Sequence, residues 1–200
     1  MCVGLGTVLR TDRVIARCEA KMFDEEKTTQ MAASFLKLAG NKMNYMLLLK
    51  MLYVADKTML MRRGMPITFD YWVSMDHGPV LSHTLDRIKD VTEDKSSYWR
   101  QHIERQNYEV VLTSDPGNDE LSRSEDQIIV EVFAEWGNLD PWEAVRRTHK
   151  FPEWQDPMGS SIPIALPDVM RLNGAGQVSI DAMLENVEVH EAIKSLAKAT

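Results

Sequence analysis

The chain has 200 residues, 44% of them hydrophobic, with five Trp, five Tyr and five Phe, enough apolar material for one domain with a substantial core. No apolar run approaches the ~20 residues that span a bilayer, and residues 1–20 lack the apolar stretch of an export signal. Cys2 and Cys18 make neither a disulfide framework nor a Cys-x-x-Cys metal pair, so the expectation is a soluble protein in a reducing cytoplasm. A net charge of −7 and a pI near 5.3 argue against a nucleic-acid partner, which calls for a basic face. The longest basic runs are Arg62-Arg63 and Arg146-Arg147. A basic protein partner and plain solubility both fit the acidity.

Residues 1–21 match nothing downstream in pattern and are expected to form a weakly ordered arm, with a single domain over 22–200. Asp24 is the predicted N-cap of a helix to Ala39, with Met31, Phe35, Leu38 and Ala39 at helical spacing and Gly40-Asn41 as its stop. Residues 42–62 predict a second helix that is apolar around most of its circumference, hence central, and Gly64 ends it. Residues 66–76 alternate apolar and polar side chains, the period of a strand. Gly78-Pro79 breaks that strand, and Pro79 is expected as the first residue of a third helix burying Val80, Leu81, Leu85 and Ile88.

Two β-like runs, Tyr98–Glu104 and Tyr108–Thr113, read as a hairpin turning at Arg105-Gln106-Asn107. A loop at Asp115–Asp119 precedes the capping box Ser122-x-x-Glu125, which opens a helix stopped by Gly137. Asp140-Pro141 starts another helix through His149, and short helices are expected at 166–172 and 179–198. The fold class is mainly α (α+β): a compact helical domain with a small antiparallel β element inserted near its middle.

The chemistry-bearing residues are sparse. His77, His83, His102, His149 and His190 include no i,i+4 pair of the kind that holds zinc on a helix. Asp76, His77 and His83 leave open a metal-dependent hydrolase, but no nucleophile elbow accompanies them. His149 sits on an apolar face, where a hydrogen-bonded core histidine is the ordinary case. Lys50, Tyr53 and Lys57 share one stripe of the second helix, with Asp56 beside it. A Lys in such surroundings must snorkel or meet an acid or a carbonyl, because burying it unpaired is costly. The stripe is either a structural polar cluster that orients the helix or a seam shown to a partner. The thirteen Met are either core filler or an adaptable binding surface. Trp136, Trp142 and Trp154 read as core anchors.

Lys50-x-x-Tyr53-x-x-Asp56, Gly64 before Pro66-Ile67-Thr68, the Gly78-Pro79-Val80 turn, Leu121-Ser122, and Thr148-His149 with Trp154 occur here in a characteristic order. In that order and spacing the chain resembles the Panacea domains, also called SocA-like or phage-associated antitoxin domains, over about residues 26–170. The resemblance implies a mostly helical fold with a small β element and the antitoxin role of a toxin–antitoxin pair. It further implies neutralisation of a cognate protein toxin by direct binding, in one member by delivering the toxin to a protease as an adaptor. It implies no enzymatic activity, no cofactor and no metal. Lys50, Tyr53, Asp56, His77, Gly78, Pro79, Val80, His149 and Trp154 are the motif positions it marks, for structure or for partner binding. A DNA-binding autorepressor is the remaining alternative, and no helix-turn-helix with basic flanks supports it.

Overall fold

The computed structural model describes residues 22–91 and 96–197. The expectations for 1–21, with Cys2 and Cys18, lie outside the described residues. In chain order the elements are α1 (Glu25–Leu38), β1 (Lys42–Asn44), α2 (Tyr45–Arg63), β2 (Trp72–Met75), β3 (Gly78–Leu81), α3 (Ser82–Lys89) and α4 (Tyr98–His102). They continue with β4 (Ile103–Gln106), β5 (Glu109–Leu112), α5 (Arg123–Trp136), α6 (Pro141–Thr148), β6 (Ile162–Pro163), α7 (Leu166–Leu172) and α8 (Gln177–Ala197). The fold is mainly α with small β elements, as expected from the sequence.

Local capping sets four of the eight helix starts among the described residues. The Asp24 side chain accepts from the Lys27 amide at the head of α1, and Glu25 and Glu26 follow in its first turn, where carboxylates favour the helix dipole. Asn44 caps α2, Ser122 and Glu125 form the reciprocal capping box of α5, and Asp140 caps α6 with Pro141 directly behind it. Gly64 closes α2 in the left-handed conformation at φ 76°.

Every residue of α2 from Leu47 to Asp56 is buried, so the helix has no solvent face along that stretch. It packs against α5, α6, α7 and β3, and α1 lies beside it. Leu48, Met51, Leu52 and Tyr53 of α2 meet Phe35, Trp72, Ile129 and Val169 in one continuous core.

Two three-stranded antiparallel sheets flank this core, with strand orders β1-β5-β4 and β3-β2-β6. The first carries the β4–β5 hairpin, Ile103 opposite Leu112 and Gln106 opposite Glu109. The second carries the β2–β3 hairpin, Trp72 opposite Leu81 and Met75 opposite Gly78, with β6 on the far side of β2.

Several expectations are corrected. The strand expected over 66–76 shortens to Trp72–Met75, because the amides of Ile67 and Thr68 are held by Asp56 and Phe69 sits at φ 51°. Pro79 lies inside β3 and does not start a helix; α3 begins at Ser82. β3 is an edge strand, which is where a residue lacking an N–H is tolerated. The β-like run from Tyr98 opens as helix α4, since the Glu25 carboxylate accepts from the Trp99 amide at 3.2 Å and from the Ser97 hydroxyl. The hairpin after it turns at Asn107-Tyr108, with Asn107 at φ 59°. Lys42–Asn44 form a strand ahead of α2. Trp142 is not a core anchor: it stands 51% exposed on α6.

Candidate functional site

The stripe on α2 delivers its polar side chains to three separate partners. Lys50 is 1% exposed, and its Nζ donates to the Pro79 carbonyl at 2.9 Å. Of the partners its burial called for, it meets a carbonyl. With the charge removed from water, burial lowers its pKa from 10.5 to about 7.

The β2–β3 hairpin is shaped around that amine. Gly78 has φ 91°, and a Cβ there would fall 2.6 Å from Thr148 Oγ1, 3.1 Å from Lys50 Nζ and 3.3 Å from His149 Cδ2. Only glycine allows both this backbone conformation and this approach. Thr148 Oγ1 donates to the Val145 carbonyl at 3.0 Å, and the His149 ring lies flat on Trp154, centroids 4.0 Å apart. Trp154 Nε1 donates to the Met75 carbonyl at 3.1 Å.

Lys50, Gly78, Pro79, His149 and Trp154 therefore meet around one hairpin, with Val80 buried in β3 opposite Val73. His149 is hydrogen-bonded as expected, through the Asp76 backbone, but it is half-buried and not in the core. Its Nε2 is buried without a hydrogen-bond partner among the described residues. Burial pushes its pKa down, the Lys50 charge adds to this, and a hydrogen bond with the Asp76 backbone opposes it. His77 is exposed at the hairpin tip, edge-on to Trp142 with centroids 5.2 Å apart.

Tyr53 and Lys57 converge on Glu153, which is 3% exposed. The Tyr53 hydroxyl donates to Oε1 at 2.9 Å, Lys57 Nζ lies 2.8 Å from Oε1 and 3.0 Å from Oε2, and Asn173 Nδ2 donates to Oε2 at 3.1 Å. Burial raises the Tyr53 phenol well above its ordinary pKa, and the Glu153 carboxylate adds to that rise.

Asp56 accepts from the amides of Ile67 and Thr68 at 2.9 and 3.0 Å and from the Thr68 hydroxyl. Burial raises its carboxyl to about 7 against the pull of those bonds. Asp70, also buried, accepts from the amides of His83 and Thr84 at 2.8 and 2.9 Å and from the Thr84 hydroxyl at 2.6 Å. It thereby caps α3, whose own N-cap position, Leu81, has no side-chain oxygen. Burial raises its pKa, and the Thr84 hydroxyl opposes this.

Glu153, Asp70 and Thr148 are the polar residues that complete these networks, and the sequence reading assigned roles to none of them. Asp70 carried a partial signal, as a helix-capping residue type ahead of a helix. It lies twelve residues before that helix, too far to be read as a cap. Glu153 carried none.

The five histidines are dispersed. His83 packs its ring against Phe23, His190 stacks on Phe69, and His102 meets Ser114. His77 and His83 have different neighbours, and among the described residues no group of three or more His, Cys, Asp or Glu is placed to hold a metal ion.

One hollow opens beside the β2–β3 hairpin, and a second lies against α3, α4 and the β4–β5 hairpin. A cleft of about 250 Å³ runs between the start of α2, the hairpin and α3, lined by Tyr45, Met46, Leu49, Lys50 and His77 among others. Sharing Lys89 with it is a groove of about 550 Å³ whose walls include Arg87, Arg100 and Arg105.

A family model described as antitoxin SocA-like, Panacea domain, matches residues 48–155, from α2 through the Glu153-Trp154 turn. The match is shorter than the 26–170 span of the resemblance and contains every motif position named above. Neither the curated proteins nor the solved structures give a match. No helix among the described residues is long and apolar enough to cross a membrane.

Proposed function

The chain belongs to the antitoxin SocA-like Panacea family, and from that premise we propose that it neutralises one cognate protein toxin in the cytoplasm by direct protein–protein contact. The observation that carries this reading is the family match over 48–155, which spans the network around α2 except Asn173. Lys50, Tyr53 and Asp56 are turned inward, each fixing a different loop or strand. Their role in this reading is to hold a rigid β2–β3 hairpin, whose tip at Asp76-His77 is exposed beside Trp142. Rigid presentation favours tight binding because little freedom is lost on association. Exposed tryptophan is the residue type that most often anchors an interface. Binding of this kind needs no bond-making chemistry and no cofactor.

Co-expression with the product of the adjacent open reading frame tests the reading. That product should arrest growth alone, be relieved by this chain, and co-purify with it. Absence of both relief and co-purification would refute it. The lifetime of the toxin decides the mode: a stable stoichiometric complex indicates plain sequestration, and accelerated loss of toxin indicates delivery to a protease.

A further inference from the structure

An ammonium carries three donors, and among the described residues Lys50 Nζ has one hydrogen-bond acceptor, the Pro79 carbonyl. The amine is nonetheless almost wholly buried and lines the cleft between α2, the β2–β3 hairpin and α3. A buried donor left short of acceptors is costly in a closed protein, and it becomes an asset when a partner brings the acceptor. Lys89, exposed at the end of α3, stands on the same cleft and makes no ion pair with a described residue. Among the described residues Asp76 is the one acid lining the cleft, and its Oδ1 already accepts from the Gly159 amide at 3.0 Å.

The remaining wall is apolar and adaptable, with Met46, Leu49, Met75 and Leu85. At about 250 Å³ the cleft falls below the ~300–1,000 Å³ usual for a small-molecule or cofactor pocket, and it suits a side-chain anchor. The groove beyond Lys89 carries both signs: Arg87 pairs with Glu25, Arg100 pairs with Asp90, and Glu104 lines it along with Arg105.

The geometry points to this cleft as the seat of an acidic side chain, glutamate or aspartate, presented by the toxin, with Lys50 at its floor and Lys89 at its rim. The inference rests on the antitoxin reading and names the chemistry of one contact within it. The net charge of the chain is then a poor guide to this one contact, because the cleft itself sets Lys50 and Lys89 against Asp76.

The test uses the full chain and the toxin found by co-expression, with affinity measured calorimetrically between 50 and 300 mM salt. Lys89→Glu, at an exposed position, should weaken binding at least tenfold at low salt and flatten the salt dependence, because a steering charge has been reversed. Lys50→Met should weaken it at least tenfold with the far-UV spectrum unchanged. Lys37→Glu on α1, outside the cleft, should stay within twofold of the parent. Should Lys50→Met fail to fold, Lys89→Glu alone decides. Parent-like affinity in Lys89→Glu overturns the acidic-anchor assignment and leaves the antitoxin reading standing. A parent chain that binds no toxin overturns both.

Discussion

Replacing Gly78 with alanine separates two costs that usually come together. Gly64 and Gly78 both occupy the left-handed region, at φ 76° and 91°. At Gly64 an added Cβ meets nothing within 4 Å, whereas at Gly78 it falls 2.6 Å from Thr148 Oγ1 and 3.1 Å from Lys50 Nζ. The conformational cost common to both is ~1–2 kcal/mol, offset by ~0.4–1 kcal/mol from the stiffer unfolded chain. Gly64→Ala should therefore lose about 1 kcal/mol.

Gly78→Ala adds a clash that cannot relax cheaply, since Thr148 is fully buried and bonded to the Val145 carbonyl. Overpacking of this kind costs ~1–3 kcal/mol, for a total of about 3 kcal/mol, and at ~2–4 °C per kcal/mol its melting point should fall ~6–12 °C. Urea denaturation of the two variants, followed by circular dichroism, gives the comparison. Equal losses would refute the claim that the hairpin is shaped by its contact with Lys50 and Thr148.

Glu153→Ala strands Tyr53, Lys57 and Asn173 together and should cost ~3–5 kcal/mol, as for one partner lost from a buried pair. Tyr53→Phe removes a single bond and should cost about 1 kcal/mol; a reversed order in denaturation midpoints would contradict the network. Asp70→Asn keeps one accepting oxygen and turns its NH2 toward either the His83 amide or the Thr84 amide, and should lose about 3 kcal/mol by thermal melting. Asp140→Asn, at an exposed cap, should stay within ~0.5 kcal/mol because asparagine caps as well as aspartate. The pKa of Lys50 falls from 10.5 in the unfolded chain to about 7 when folded. Between those values the unfolded state binds the extra proton, so its contribution makes stability rise with pH. Below the folded value both states are protonated and the contribution is flat. Urea midpoints at pH 7, 8 and 9 should climb less in Lys50→Met than in the parent, and parallel slopes would show that the amine is not desolvated.

What the sequence disclosed was local. The heads of α1, α5 and α6 carry their own capping residues within three positions, and α7 falls on the expected 166–172. The centrality of α2 followed from the lack of any polar face. What it withheld was fixed by distant carboxylates. Tyr98-Trp99 reads as β-forming, yet Glu25, more than seventy residues earlier, turns it into a helix start. Pro79 has the chemistry of a helix opener, but pairing with β2 claims it for an edge strand. The stripe Lys50, Tyr53 and Lys57, with Asp56 beside it, was legible as polar positions on an apolar helix, and so was the pair of readings it allowed. Which residues they meet was not legible, because Glu153 and Pro79 come to them through tertiary packing alone. Trp142 reads like any helix-face aromatic, and only its position on the outer side of α6 exposes it.

Asp56 and Asp70 lie fourteen positions apart in the chain, yet they grip the two ends of one short loop. Asp56 fastens its start to the central helix, and Asp70 supplies the oxygen atoms that α3 lacks at its head. Helix α3 thus borrows its first turn from a loop that exists only once α2 has been packed. The two should open and close as one cooperative unit, so the wall of the cleft that carries Lys89 inherits its order from a buried carboxylate on the central helix.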